Sequence, residues 1–352
     1  MIIRDYKNIL IVRTDRVGDV VLTTPAILAL REAYMGAKIS ILVSPQTRDI
    51  IENNPCLDEI IIDDKNGAHK GFWGFLKLVF GLRKRRFDLA VIFHTKKRTN
   101  FLCFLAGIPV RLGYKNNKFG FLLTKKIKDT RIEGTRHEAE YCLDLLSHIG
   151  VKAVELKLLM PVKKESQDWA QKILGDNDVV ASERLIAVHP GASCISKRWL
   201  PERFAGLINQ LTHNHFARVV LVGGPETKNI AKEIKSALTN PVVDLTGETS
   251  VSQLAGILKK CQLLISNDSG PVHVACAVGT PVISIFGRNQ AGLSPARWRP
   301  LGKNDIFIHK EVGCKVCLAH NCDIDFECLK AIAVDDVLSA VKTLLKVSSL
   351  TA

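Results

Sequence analysis

What most constrains this chain is one pattern stated in both halves: a short unbroken apolar run, a loop of small or polar residues, then a stretch with helical spacing. In the first half the runs are NILIVRT from Asn8, KISILVS from Lys38, the isoleucines after Glu59, and FDLAVIFH from Phe87. Between the first two lies VVLTTPAILALREAY, with Val21, Ala26, Leu28 and Leu30 among its apolar positions. Apolar runs without polar alternation suit parallel strands covered on both faces. The pattern restarts at RLIAVHPGAS and continues through ARVVLVGGPET, PVVDLTGETS, CQLLISNDSG and TPVISIFG. The helix HEAEYCLDLLSHIG and an extended VELKLLMPVKKES separate the halves, the second reading as a connector.

A chain of 352 residues exceeds a comfortable single core, so two domains are expected. The prediction is an α/β chain of two Rossmann-like, doubly wound parallel-sheet domains, residues 1–160 and 161–352, with the last helix a candidate for packing back on the first domain. In such sheets ligands bind beyond the carboxyl ends of the strands, which is where each small-residue loop falls, facing an interdomain cleft.

Charge and cysteine usage narrow the functional classes. Between Lys70 and Arg131 sixteen Lys or Arg accompany only Asp88 and Asp129, an excess as large as the whole chain's +14. A positive field of this kind suits nucleic acid, anionic headgroups or an acidic substrate, or is a solvated face. Nucleic acid is disfavoured, because no RNP-type aromatic pattern, helix-turn-helix signature or zinc-finger spacing accompanies it. The N-terminal residues break a five-residue apolar run with acids and bases, unlike a secretory segment, so a cytoplasmic protein is expected. The longest apolar stretch, GFWGFLKLVFGL, is too short to span a bilayer and contains Lys77. With the RKRR that closes it, that stretch reads either as an interfacial membrane helix or as a core helix with a basic end. Cys56, Cys103, Cys142, Cys194, Cys261 and Cys276 read as small hydrophobes. Cys314, Cys317, Cys322 and Cys328 have spacing that could close a tetrahedral zinc site, though not a standard zinc ribbon; an idle or partly oxidised loop is the stronger reading.

Three loops carry chemistry. In LLISNDSGPVHVACAVGTPVISIFG, Asp268 or Ser269 can cap a helix that Pro271 opens and Gly279 with Pro281 ends. A helix so brief, between two apolar runs, offers its amide-rich start to an anion, with Ser269 and Gly270 allowing close backbone approach. Asp268 would repel phosphate and is expected to cap amides or hold a sugar hydroxyl. In HPGASCISKRWLPERF, a small-residue loop at Ser193 precedes Lys197 and Arg198, and a lysine there can neutralise a departing diphosphate without a metal. In RTDRVGDVVLTTP, one glycine stands where a dinucleotide fingerprint needs three, which argues against hydride transfer. Asp19 there is either a helix cap or the general base for an acceptor hydroxyl.

Together ILIVRTDRVGDVVLTTPAILALR, HPGASCISKRWLPERFAGLI, VVLVGGPET, DLTGETSVSQLAGILKKCQLLISNDSGPVHVACAVGTPVISIFG and the late cysteine segment resemble family 9 glycosyltransferases, the ADP-heptose:lipopolysaccharide heptosyltransferases, from about residue 8 to 345. The resemblance implies a GT-B fold and inverting, metal-independent heptose transfer from ADP-heptose to the lipopolysaccharide inner core, on a Kdo or heptose acceptor borne by lipid A, with no cofactor. A different nucleotide sugar is the alternative. It implies Asp19 as the base, and Ser193, Lys197, Ser269 and Gly270 on the donor diphosphate. It puts Asp268 near the heptose or its phosphate, with His273 in the same donor-binding element, Glu226 on the adenosine ribose, and Thr246 and Gly247 lining the nucleoside pocket. No acceptor residue is assigned, but the basic region from Lys70 to Arg131 fits an anionic lipopolysaccharide precursor and the inner face of the cytoplasmic membrane.

Overall fold

The computed structural model describes residues 5–152 and 155–347, and the chain divides into two compact units, Met1–Pro161 and Val162–Ala352. In the first, β1 (Asn8–Val12), β2 (Lys38–Val43), β3 (Glu59–Ile62), β4 (Leu89–Ile92), β5 (Val110–Tyr114) and β6 (Lys125–Ile127) form one sheet in the order β3-β2-β1-β4-β5-β6. In the second, β7 (Leu185–His189), β8 (Arg218–Leu221), β9 (Val243–Asp244), β10 (Leu263–Asn267), β11 (Val282–Ile285) and β12 (Ile306–Ile308) take the order β12-β11-β10-β7-β8-β9. The two orders are the same when each sheet is counted from its first strand. Every pairing is parallel, with Ile9 opposite both Ile39 and Leu89, and Ile265 opposite Val188 and Ile283. This is the expected α/β fold class, two doubly wound sheets of the GT-B kind.

The apolar runs form strands because both faces are covered: β4, β7 and β10 are buried along their whole length. In the first unit Leu10, Val12 and Ile92 pack with Leu78, Val79 and Leu82 from the helix Gly71–Lys84. In the second, Trp199 meets Phe204 edge to face at 4.9 Å and donates through its indole to the Ile332 carbonyl at 3.0 Å. The last helix, Val334–Leu345, buries Val337, Leu338, Ala340 and Val341 in the core of the second unit, where its apolar stripe faces β11 and the helix Pro201–Thr212. Of the connector, residues 155–163 form no regular element, and Val154 lies outside the described residues.

Each sheet has one switch point where the strand order reverses, between β1 and β4 in the first and between β7 and β10 in the second. A doubly wound sheet opens a crevice there, because the two connections leave to opposite sides.

Candidate active site

At the first switch point Asp19 stands in the short helix Val17–Val21, directly after the β1 loop. Beneath it lies Arg13, 1% exposed, which is the cation that organises the loop. One guanidinium nitrogen donates to Asp19 at 2.8 Å and to Glu138 at 2.9 Å, and another to the Phe93 carbonyl at 2.8 Å. Arg131 reaches the same carbonyl at 3.0 Å while its ring-like head lies over Tyr114 and pairs with Asp129. Asp15 completes the group, bonded to Lys96 at 2.5 Å and 3.7 Å from His94.

The two aspartates of this loop are driven apart. Burial raises the Asp19 carboxyl; Arg13 opposes that, but Asp15 and Glu138 add to it, so the net shift is upward. Burial also acts to raise Asp15, yet His94, Arg13 and Lys96 outweigh it and bring that carboxyl down to about 2. Carboxylates pushed apart in this way divide roles, the raised one being the better proton acceptor near neutral pH. His94 is no rival, since burial lowers its imidazole to about 3.

The second switch point gathers Lys197, Asp268, Ser269 and Gly270. The helix Gly270–Val278 starts directly after β10, with Ser269 at its N-cap and Gly279 closing it at φ 85°. Neither expected cap forms. The Ser269 hydroxyl turns instead to the His189 ring and the Ser266 hydroxyl, each at 3.0 Å, so no side chain from the N-cap covers the amides at the helix start. Asp268 neither caps amides nor stands alone: one carboxylate oxygen lies 2.8 Å from the Lys197 ammonium and 3.0 Å from the Arg288 guanidinium. Lys197 also donates to the Asp268 carbonyl at 3.1 Å. Two cations on one carboxylate leave a net positive charge at an amide-rich helix start, an arrangement that favours an anion.

Asn267 assembles this rim. Its amide donates to the Pro190 carbonyl at 2.7 Å and accepts from the Trp199 N–H at 3.0 Å, tying the β7 loop and the Trp199 backbone to β10. Arg198 braces the loop through the Ala192 carbonyl, so of the adjacent pair only Lys197 addresses the helix start. Ser193 is exposed on the same loop. His273 is buried on the Gly270–Val278 helix.

The nucleoside candidates form a separate group beyond β8 and β9. Glu226 is exposed after Gly224, while Thr246 is buried with its hydroxyl on Asp244 at 2.7 Å. The Gly247 N–H donates to the Gly223 carbonyl at 2.7 Å, joining the two loops, and φ of +73° at Gly247 suits glycine. A Cβ at Gly191 or Gly223 would collide with the Thr227 hydroxyl, so these glycines hold the β7 and β8 loops against one another.

Sequence reasoning missed Arg288, Arg13 and Glu138. A cation directly after β11 and its glycine was a usable signal for Arg288; nothing local to Glu138 announces a partner 125 residues away. The late cysteine segment lies behind Arg288: the Cys328 thiol donates to the Gly287 carbonyl at 2.8 Å, and the Asn289 N–H points at the Cys317 sulfur at 3.4 Å. Cys314, Cys317, Cys322 and Cys328 are free thiols, and among the described residues no three His, Cys, Asp or Glu side chains converge as a metal-binding group.

Two doubly wound parallel sheets, one with a raised carboxylate and the other with a cationic, amide-rich helix start at its switch point, make up a two-domain frame of the GT-B kind. Residues 75–326 match the family described as glycosyltransferase family 9 (heptosyltransferase), and the chain belongs to that family. It is therefore a glycosyltransferase. Lipopolysaccharide heptosyltransferase 3 of Escherichia coli K12 is 29% identical over 336 residues, 93% of this chain and 95% of that one. A family 9 glycosyltransferase from Veillonella parvula superposes with a TM-score of 0.88 at 26% identity, over 97% of this chain and 98% of the other. The E. coli heptosyltransferase WaaC solved with ADP shares the fold, with a TM-score of 0.71 at 18% identity over 96% and 99% of the two chains.

Proposed function

We propose that this protein transfers heptose from ADP-heptose to the inner core of lipopolysaccharide, with inversion and without a metal, on a Kdo or heptose acceptor carried by lipid A. The observation that carries the reading is the Lys197–Asp268–Arg288 cluster at the start of the Gly270–Val278 helix, which suits a nucleoside diphosphate as ligand and leaving group. Heptosyltransferase relatives that act on lipopolysaccharide, and the ADP in the WaaC structure, support the choice of sugar and nucleotide.

In this mechanism Asp19 takes the proton from the acceptor hydroxyl, whose oxygen attacks the anomeric carbon from the face opposite the diphosphate. The bond from that carbon to the diphosphate oxygen breaks, and ADP leaves with the electron pair. Lys197, Arg288 and the helix amides meet the charge as it grows on the leaving group, where stabilisation lowers the barrier most. Ser193 and Ser269 contribute hydroxyls to the same phosphates; Asp268 and His273 serve the sugar side, and Glu226, Thr246 and Gly247 the nucleoside. The enzyme works at the inner face of the cytoplasmic membrane, where its acceptor is made; among the described residues no helix is long and apolar enough to cross a membrane.

The test is transfer from ADP-heptose to a panel of truncated core acceptors in the presence of EDTA, with ADP binding measured in parallel. Release of ADP coupled to an extended acceptor is expected. Transfer only from another nucleotide sugar would replace the donor, loss of activity in EDTA would refute metal independence, and no stabilisation by any nucleoside diphosphate would end the reading.

A further inference from the structure

The first unit carries an aromatic face that its core uses only through Phe75. Phe72 and Trp73, at the start of the helix Gly71–Lys84, are 67% and 80% exposed and meet edge to face at 5.4 Å. From the same helix Phe75 stacks on Phe101 at 5.9 Å; Phe101 leads to Phe119 and Phe119 to Phe121, each step 5.8 Å, and Phe121 is 70% exposed. Cations are interleaved with the rings. Trp73, Lys77, Phe80 and Lys84 share one exposed stripe of the helix, Lys97, Phe101 and Phe104 repeat that spacing on the helix Lys97–Leu105, and Lys97 reaches over Phe119 at 6.0 Å.

The acids of this region are already committed: Asp88 accepts from the Lys7 and Asn8 N–H groups, and Asp129 holds Arg131. The face is thus apolar and cationic at once, larger than scattered exposed hydrophobics explain. A second copy would set like charges against each other. Stacked bases need free ring faces, whereas Phe101 already gives one face to Phe75 with the rings 3° from parallel. An anionic lipid surface satisfies both features, taking the rings into the interface and the lysines at the headgroups.

We propose that the rings of Trp73 and Phe121, with Lys77, Lys84 and Lys97 around them, dock the protein on an anionic lipid bilayer. The inference rests on the reading above that the acceptor is lipid-borne, and adds where the bilayer lies. The helix Lys97–Leu105 and the Phe119–Phe121 turn follow β4 and β5, on the same carboxyl rim of the sheet as Asp19. Lys96 joins them, donating to the Thr14 carbonyl of the β1 loop at 3.0 Å. Docking there holds the base at headgroup level.

The experiment is flotation of the full chain with vesicles of phosphatidylethanolamine and phosphatidylglycerol, and with phosphatidylcholine alone, at low and high salt. The protein is expected to float with the anionic vesicles and to be released as salt rises. Trp73→Ser with Phe121→Ser should weaken partitioning about tenfold or more, the scale for removing large apolar side chains from an interface. Lys77→Glu with Lys84→Glu should do so by a similar factor. Both variants should keep the wild-type melting temperature, since all four side chains are exposed, and the aromatic variant should keep turnover on a water-soluble core oligosaccharide. Absence of flotation, variants that float like wild type, a wild-type dimer dissolved by the aromatic substitutions, or selective capture of a single-stranded oligonucleotide by this face would each overturn the proposal. A protein active on the soluble acceptor but unable to float refutes the docking face alone; one that floats but never uses ADP-heptose refutes the assigned reaction alone.

Discussion

Asp268 has the most informative single environment in the second unit, because a carboxylate at the proposed phosphate site is a liability unless its charge is already answered. Lys197 and Arg288 answer it together, leaving about one net positive charge for the ligand. Arg288→Gln removes that surplus and is expected to weaken ADP binding about tenfold, the scale of one charge-assisted contact. Adding Asp268→Asn restores the surplus on Lys197, so calorimetry should show part of the affinity returning in the double variant; a further loss would mean that Asp268 itself grips the ligand. In the first unit, Asp19→Asn keeps the shape around Arg13 but cannot take a proton. Turnover should fall about 10²-fold or more with ADP affinity nearly unchanged. The raised Asp19 carboxyl also fixes the sign of the acid limb: the base works only when ionised, so as pH falls activity should fail at a higher pH than an ordinary aspartate would give. A limb at the ordinary carboxylate value would place the base elsewhere.

At the scale of elements, the Gly270–Val278 helix owes its position to how it ends as much as to how it starts. Gly279 takes φ of +85°, and a Cβ there would meet no atom within 4 Å, so Gly279→Ala isolates backbone strain from packing. It should cost about 1 kcal/mol in chemical denaturation, while ADP affinity of the folded protein stays unchanged. A larger cost with lost affinity would show that the turn aims the helix. These boundaries were readable from Pro271, Gly279 and Pro281 alone, and the apolar runs at β1, β2, β4, β7, β8, β10 and β11 were equally plain. β5 and β6 were not, because VRLGY interrupts its run with Arg111 and Gly113 and KKI spans only three residues at the sheet edge. Asp19 and Lys197 could be picked out because each follows a strand within a loop of small residues. Arg288 offered a like signal, as a cation directly after β11 and its glycine, but Arg13 and Glu138 could not be picked out, since their pairing is made between elements distant in sequence. Even the caps misled: Ser269 has the right identity and spacing, but His189 and Ser266 compete for its hydroxyl once β7 and β10 pair.

For the whole molecule, each sheet buries a histidine at its switch point, and this ties stability to pH in a direction that can be worked out. Burial lowers the His189 imidazole to about 4 in the folded state, against about 6.5 unfolded. Between those values the unfolded chain binds a proton that the folded one refuses. The contribution is therefore complete above about pH 6.5, erodes as pH falls, and is spent near pH 4, a swing of about 3 kcal/mol. His94, lowered to about 3, acts with the same sign in the first unit, although Asp15 nearby offsets part of its burial. His189 is the cleaner test, because burial is the one cause resolved for its shift and its hydrogen bonds go to the neutral Ser266 and Ser269. His189→Gln keeps a polar group for Ser269 but does not titrate. Urea denaturation at a series of pH values should show the wild type losing up to about 1.4 kcal/mol per pH unit more than the variant between pH 6 and 4, whatever their difference at neutrality. The two units can unfold in separate steps, so the comparison belongs to the transition that the substitution shifts. Parallel curves would mean that His189 is protonated in the folded protein, and with it that a positive charge, not a neutral ring, stands behind Ser269 at the helix start.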